Sequence, residues 1–312
     1  MSQSVVVSEI VARALAAAKP VVALESTIIT HGLPRPENLD AAREFERTVA
    51  ERGAVPATIA MLDGVPHVGL EADELEHLVD TDGALKLSVR DLPVAMAMGA
   101  TGGTTVAATA LLAARAGIRV FATGGIGGVH RGAGETFDES ADLGILAECP
   151  ITVVSGGVKS ILDIGATLER LETLSVTVLV FGTDRFPAFW LTDSGYTVDT
   201  PVSTPEEIAR IMHAADALRR TSGILVANPL PEAAQLDPAL HDRLLADALT
   251  AAEAAGVRGK DITPFLLDYI HRHTERTSVA VNLEIVRGNC RLGADIACAW
   301  SALAPERERA VE

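Results

Sequence analysis

Six short, largely β-branched runs, interspersed with stretches of helical periodicity, narrow the folds open to this chain more than any other feature. The runs are PVVAL (20–24), PATIAM (56–61), IRVFAT (118–123), ITVVS (151–155), VTVLVF (176–181) and GILVAN (223–228). Helix-period segments span Pro36 to Arg52, Thr104 to Ala116, Pro205 to Arg220 and Pro238 to Ala255. Such alternation gives a largely parallel sheet covered by helices on both faces. Asp63-Gly64 followed by VPHVGL reads as a hairpin, so the sheet is expected to be mixed. From Val279 onward, Leu283, Val286, Cys290, Ala297 and Trp300 recur at helical spacing and mark a C-terminal helix. The expected fold is three-layer α/β/α with a mixed, largely parallel sheet. It forms a single domain over residues 1–312, with a peripheral N-terminal helix (5–18) and a peripheral tail (303–312).

A chain of 312 residues is long enough to bury a core of that kind. Its 42 acidic and 26 basic side chains leave a formal charge of −16. That excess repels phosphate backbones and anionic leaflets, and no basic cluster exceeds pairs such as Arg219-Arg220. The expectation is no nucleic-acid and no membrane partner, and an anionic ligand would need a locally positive pocket. The uncharged stretch Leu92 to Ala114 is long enough to span a bilayer. Gly99, Gly102, Gly103 and four threonines make it instead a glycine-rich ligand loop running into a buried helix. The three cysteines, Cys149, Cys290 and Cys298, have no CxxC spacing and read as small buried hydrophobes in a reducing, cytoplasmic setting. The N-terminus lacks a basic region and its apolar run is broken by Glu9 and Arg13, unlike a signal peptide.

Ligands in open α/β sheets bind beyond the carboxyl ends of the strands. Those ends deliver Glu25-Ser26-Thr27, Gly124-Gly125-Ile126-Gly127-Gly128, Gly156-Gly157-Val158-Lys159 and Asn228. TGGIGGVHRG misses the dinucleotide spacing, and GATGGTT lacks the lysine of a phosphate-binding P-loop. The glycines therefore serve either close approach of backbone N–H groups to an anion or tight turns and strand–helix contacts. Only Lys19, Lys86, Lys159 and Lys260 stand against 22 arginines. Lys159, in the apolar SGGVKSILDIG, is either a desolvated nucleophile for a carbonyl-level carbon or a snorkelling or ion-paired lysine. Lys86 suits a fixed charge for a phosphate or carboxylate, or an ion pair. Glu25 directly follows apolar strand residues, which suits a proton donor of raised pKa or a buried glutamate paired with an arginine. The segment His130 to Asp142 gathers Glu135, Asp138, Glu139 and Asp142, oxygen ligands for Mg²⁺ or Mn²⁺ or, alternatively, helix-capping residues around Asp138 or Ser140. His130 is a packed loop histidine or a catalytic one. Ser26 with His31 has neither a GxSxG elbow nor an acid partner and is set aside.

Eight long motifs, in order from about residue 20 to 300, resemble the pseudouridine-5′-phosphate glycosidase family, grouped with the indigoidine synthase A-like proteins. They are ALESTIITHGLPRPEN, GAVPATIAMLDG, KLSVRDLP, GATGGTTVAAT, VFATGGIGGVHRGAGETFDESADL, VVSGGVKSILDIG, NPLPEA and GKDITPFLLDYI. The resemblance implies reversible cleavage of the carbon–carbon glycosidic bond of pseudouridine 5′-phosphate to uracil and ribose 5-phosphate. It implies one Mn²⁺ per subunit and a homotrimer. By it, Lys159 is the nucleophile, Glu25 the proton donor and Asp138 the metal ligand. Substrate contacts fall on Lys86, Val106, His130, Ser140, Ala141, Asp142 and Asn282. Glu139 stands where many relatives are apolar, and Arg35 replaces a frequent aromatic. Another Schiff-base enzyme of sugar phosphates, or a non-catalytic sugar-phosphate or nucleotide-binding module, are the alternatives. An accessory role in indigoidine-type pigment synthesis is suggested only by the family's second name.

Overall fold

All six β-branched runs form strands, and the computed structural model, which describes residues 5–258 and 262–303, adds five more. The N-terminal third runs β1 (Val6–Val7), α1 (Glu9–Ala16), β2 (Val21–Leu24), α2 (Glu37–Glu51), β3 (Val55–Leu62), β4 (Val65–Val68), α3 (Ala72–Asp80), β5 (Leu85–Leu87), α4 (Leu92–Met98), β6 (Gly102–Thr104) and α5 (Val106–Ala116). Next come β7 (Val120–Ala122), α6 (Ala133–Thr136), α7 (Ala141–Glu148), β8 (Thr152–Ser155), α8 (Ile164–Thr173), β9 (Thr177–Phe181) and β10 (Pro201–Val202). The chain continues through α9 (Pro205–Ala217), β11 (Ile224–Ala227), α10 (Pro238–Ala254), α11 (Ile262–His273) and α12 (Thr277–Ala302). Helix starts follow local chemistry: Ser8, Thr105, Ser140, Asp163, Thr204 and Asp237 each cap a first-turn N–H with a side-chain oxygen.

The sheet order is β1-β4-β3-β2-β7-β8-β11-β9-β10, with β6 also paired to β3 and β5 to β6. From β3 through β10 every neighbour along this path is parallel, whereas β4 and β6 join β3 antiparallel. The expected hairpin is present: Asp63 and Gly64, both at positive φ, connect the facing residues Leu62 and Val65.

Both faces of the parallel strands are buried, which is why their sequences are continuous apolar runs. Val21 and Ala23, Phe121, Val153, and Leu225 and Ala227 join one core with α1, α5, α7, α10 and α11. The alternate residues, Val22 and Leu24, Val120 and Ala122, Val154, and Ile224 and Val226, join the other with α2, α9 and α12. Helix α12 approaches closely because of Gly293, where a Cβ would sit 3.3 Å from that of Ala122.

Several expectations are corrected. The N-terminal helix is Glu9–Ala16, shorter than 5–18, because Val6 and Val7 pair with β4. Its Val11 and Ala14 are buried in the first core, so it is not merely peripheral. The stretch Leu92 to Ala114 does run into the expected buried helix, α5, but what precedes it is helix and strand rather than a loop. Gly102 and Gly103 are strand residues there, with Leu85 O only 2.4 Å from an added Cβ at Gly102. Cys149 and Cys290 are buried, but Cys298 is only half-buried. Beyond Leu303 the tail lies outside the described residues. Among the described residues no helix is long and apolar enough to cross a membrane.

Candidate active site

Parallel register brings four strand ends level. Leu24 faces Ala122, Ala122 faces Val154, and Ser155 faces Ala227, so the residues after β2, β7, β8 and β11 share one rim. Glu25 follows β2, and Thr123, following β7, donates its hydroxyl to Glu25 Oε1. Burial pushes the Glu25 carboxyl above its ordinary value of 4.5. Lys159 opposes this most, followed by the Thr123 hydrogen bond; Asp142 adds to the rise and Lys86 opposes it. Two cations and a second carboxylate thus act on one desolvated acid.

Lys159 stands beyond β8, on a glycine segment that runs beside the one beyond β7. Gly156 N donates to Gly124 O (2.8 Å), Ile126 N to Gly157 O (3.0 Å) and Lys159 N to Ile126 O (3.1 Å). The Lys159 ammonium donates to Gly125 O. These glycines serve close packing, since a Cβ on Gly125 would lie 2.6 Å from the Phe189 ring and one on Gly127 2.3 Å from Ser140 Oγ. Ile126 and Gly127 already spend their N–H groups within the protein, the latter on Asp142. The tight-contact reading of the glycines is therefore the one realised at these positions.

Lys86 comes to the rim through strand pairing. It lies opposite Gly103, and Gly103 is pressed onto the turn after Glu25, leaving 2.8 Å between an added Cβ and Ser26 O. Ser26 Oγ donates to Ile59 O (2.6 Å) and accepts from Thr104 N (2.9 Å), while Thr27 Oγ1 donates to Thr104 O (2.8 Å). These hydroxyls lock the turn. His31 contacts Thr30 Oγ1 instead of Ser26, and burial, then Lys86, lowers its pKa.

Asp142 is buried, with Oδ1 accepting from Ala107 N (2.9 Å) and Oδ2 from Gly127 N (2.7 Å). It pins the start of α5, whose first residue is the buried Val106, to the glycine segment. Asp142→Asn places an amide against one of these donors and is expected to lower stability by about 1.5–3 kcal/mol, read as a fall in the thermal midpoint. Ser140 caps α7 and accepts from Asp142 N (3.2 Å), and the exposed Ala141 is the first residue of that helix.

The acidic segment does not gather as a cluster. Glu135 is exposed, Glu139 binds Arg170 (2.9 Å), and Asp142 is occupied as above. Asp138 remains, with Oδ2 4.0 Å from His130 Nδ1, and His130 N donates to Asp138 O (3.0 Å). Burial holds the His130 pKa below its ordinary value while Asp138 opposes that shift. Among the described residues no three His, Cys, Asp or Glu side chains come together. One carboxylate beside one imidazole fits a hard divalent ion that keeps most of its water ligands.

From α12, Asn282 abuts the Gly124 backbone at 3.2 Å from an added Cβ, and its Oδ1 is buried with no hydrogen-bond partner among the described residues. Two turns along, the fully buried Asn289 donates to Thr123 O (2.7 Å) and accepts from Asn228 Nδ2 (3.0 Å). Asn289 and Thr123 escaped the sequence reading. The available signal was an amide on the apolar face of a helix. Arg35, the other departure, pairs with Asp82 (3.0 Å).

The family model for indigoidine synthase A-like proteins matches residues 10–299. A Frankia alni protein named pseudouridine-5′-phosphate glycosidase is 60% identical over 96% of this chain and 83% of its own length. One of the same name from Saccharopolyspora erythraea is 57% identical over 95% and 98%. Among solved structures, the prealnumycin C-glycosynthase AlnA in complex with ribulose 5-phosphate superposes with a TM-score of 0.90 at 36% identity, covering 98% of this chain and 100% of that one. An indigoidine synthase A-like protein of Thermotoga maritima superposes with a TM-score of 0.85 at 34% identity, covering 95% and 97%. With its fold and nearly its whole length shared in this way, the chain belongs to the indigoidine synthase A-like family.

Proposed function

We propose that the chain is a pseudouridine-5′-phosphate glycosidase that reversibly cleaves the C1′–C5 bond to give uracil and ribose 5-phosphate. The observation that carries this reading is Glu25, an acid of raised pKa under the joint influence of Lys159 and Lys86 at the strand ends. The names of the similar proteins support it. A carbon–carbon glycoside offers no heteroatom lone pair to protonate on the leaving group, so the paired carboxylates of ordinary glycosidases do not suffice. An amine does, by turning C1′ into an electron sink.

Once the Lys159 ammonium has given a proton to water, its Nζ bonds to C1′, the C1′–O4′ bond breaks, and Glu25 gives its proton to O4′. Glu25 takes a proton back from the new secondary ammonium and passes it to uracil C5. The nitrogen lone pair then forms C1′=N as the C1′–C5 bond breaks. Water, deprotonated by Glu25, adds to the imine and releases ribose 5-phosphate and the free lysine. Thr123 orients the Glu25 carboxyl, Lys86 supplies positive charge for the phosphate, and the unpartnered Asn282 Oδ1 accepts an N–H of uracil. Val106, Ser140, Ala141, Asp142 and His130 complete the substrate wall. Asp138 would hold Mn²⁺ beside His130, and the bound ion would orient water and offset phosphate charge. The proposal includes a homotrimer in the cytoplasm.

Chromatography of protein incubated with uracil, ribose 5-phosphate and Mn²⁺, beside an EDTA control, is expected to show pseudouridine 5′-phosphate in the metal-containing arm only. No product in either direction from folded, metal-loaded protein would reject the reading. Asp138→Ala is expected to weaken the Mn²⁺ dependence of the rate, and an unchanged metal titration would remove Asp138 from this role. The likeness to a C-glycosynthase favours a second reading, in which a carbon acceptor other than uracil is used; ribose 5-phosphate consumed with another acceptor but not with uracil would select it.

A further inference from the structure

Ser160, the residue after Lys159, is buried, and its Oγ lies 2.8 Å from Nε2 of His241 on α10. The other ring nitrogen, Nδ1, lies 3.1 Å from Asp242 Oδ1. A carboxylate can only accept, so Nδ1 carries a proton and Nε2 is left to accept the serine hydroxyl. Burial keeps the imidazole pKa below its ordinary value, while Asp242 opposes this and Arg131 adds to it. The serine, histidine and aspartate have the hydrogen-bond order of a hydrolytic triad. Yet Ser160 and His241 are each only 3% exposed, which leaves a substrate no approach to the hydroxyl.

The same imidazole reaches the other side of the lysine. It packs edge-on against Trp190, with ring centroids 6.3 Å apart. The preceding Phe189, at φ 59°, donates its N–H to Gly156 O (2.9 Å) and lays its ring on Gly125. Gly125 supplies the carbonyl that accepts from the Lys159 ammonium. A buried aromatic residue in the left-handed region is backbone strain held by its surroundings. His241 therefore bears both on the segment carrying Lys159 and on the wall holding the lysine's partner.

We propose that Ser160 and His241 are positioning residues that aim Lys159 Nζ at the sugar carbon. The inference rests on the reading of Lys159 as the nucleophile. Small misplacements of a reacting group are costly, on the order of 10²-fold per ångström. The hydrogen bond is thus expected to matter for the rate of covalent capture more than for binding.

The test compares wild type with Ser160→Ala, His241→Leu, His241→Gln and the Ser160→Ala/His241→Leu double variant. It measures the rate at which borohydride traps ribose 5-phosphate on the Lys159 peptide, together with kcat and KM. Ser160→Ala and His241→Leu are expected to lower trapping and kcat about tenfold or more with KM for ribose 5-phosphate within about twofold. His241→Gln, whose amide oxygen can accept from Ser160, is expected to recover most of the rate. The double variant is expected to be no worse than the poorer single one, as for groups acting as a unit. If His241→Leu does not fold, the small Ser160→Ala change decides alone. Trapping and kcat within about twofold of wild type would overturn the proposal. So would losses in which kcat, KM and thermal midpoint move together with no recovery by glutamine. A wild-type protein that captures no sugar at Lys159 overturns the nucleophile reading and this proposal together, whereas normal capture in wild type and variants alike overturns the positioning role alone.

Discussion

Lys159→Ala is expected to lower kcat by about 10⁴-fold or more while leaving the circular dichroism spectrum unchanged. The ammonium's hydrogen bond is to a main-chain carbonyl, Gly125 O, which water can replace in the truncated variant. Folding then survives and the electron sink does not. Lys159→Arg sharpens the test, because a guanidinium keeps the positive charge but does not give up a proton to become a nucleophile. Equal loss in both variants assigns the effect to bond formation. Substantial turnover in the arginine variant would instead make residue 159 a fixed charge for the phosphate.

Glu25→Gln is expected to lower kcat by about 10²–10⁴-fold with ribose 5-phosphate still bound. In wild type, the protonated carboxyl gives its proton to O4′, and raising the pH through its raised pKa removes that donor form. Stability carries the same signature. An unfolded Glu25 ionises near the ordinary 4.5, while burial makes the folded carboxyl hold its proton to higher pH. Between those values the folded state binds more protons, so stability declines as pH rises and levels off above the folded pKa. Glutamine removes that decline. The thermal midpoint of Glu25→Gln should exceed that of wild type at alkaline pH, with the difference shrinking toward pH 4.5. A difference independent of pH would contradict a desolvated acid at this position.

The parallel sheet was readable in the sequence because its strands are buried on both faces and announce themselves as runs such as PVVAL and GILVAN. The strands that escaped are of another kind. β1, β5 and β10 have two or three residues, too few to display a period, and β6 is a Gly-Gly-Thr segment whose pairing depends on β3 and β5. Glu25, Lys159 and Asn228 were legible because a parallel sheet places residues after strands on one rim. Composition singled out the lysines, since arginine is the habitual cation of this chain.

What stayed hidden depends on contacts across long stretches of chain. Asn289 grips Thr123 from 166 residues away, and His241 reaches Ser160 across 81. Neither pairing leaves a periodic or spaced trace. The acidic segment misled in the opposite way. Its four carboxylates look like a ligand set in sequence, but Arg170 takes Glu139, backbone amides take Asp142, and only Asp138 stays beside His130.

Covalent capture of the sugar is the claim on which the chemistry turns, and mass spectrometry reads it directly. Wild-type protein mixed with ribose 5-phosphate and borohydride, then digested, is expected to carry a reduced ribose 5-phosphate adduct on the Lys159 peptide and none when Lys159 is alanine. An unmodified Lys159 peptide from folded, metal-loaded protein that still forms pseudouridine 5′-phosphate would contradict a lysine-linked intermediate.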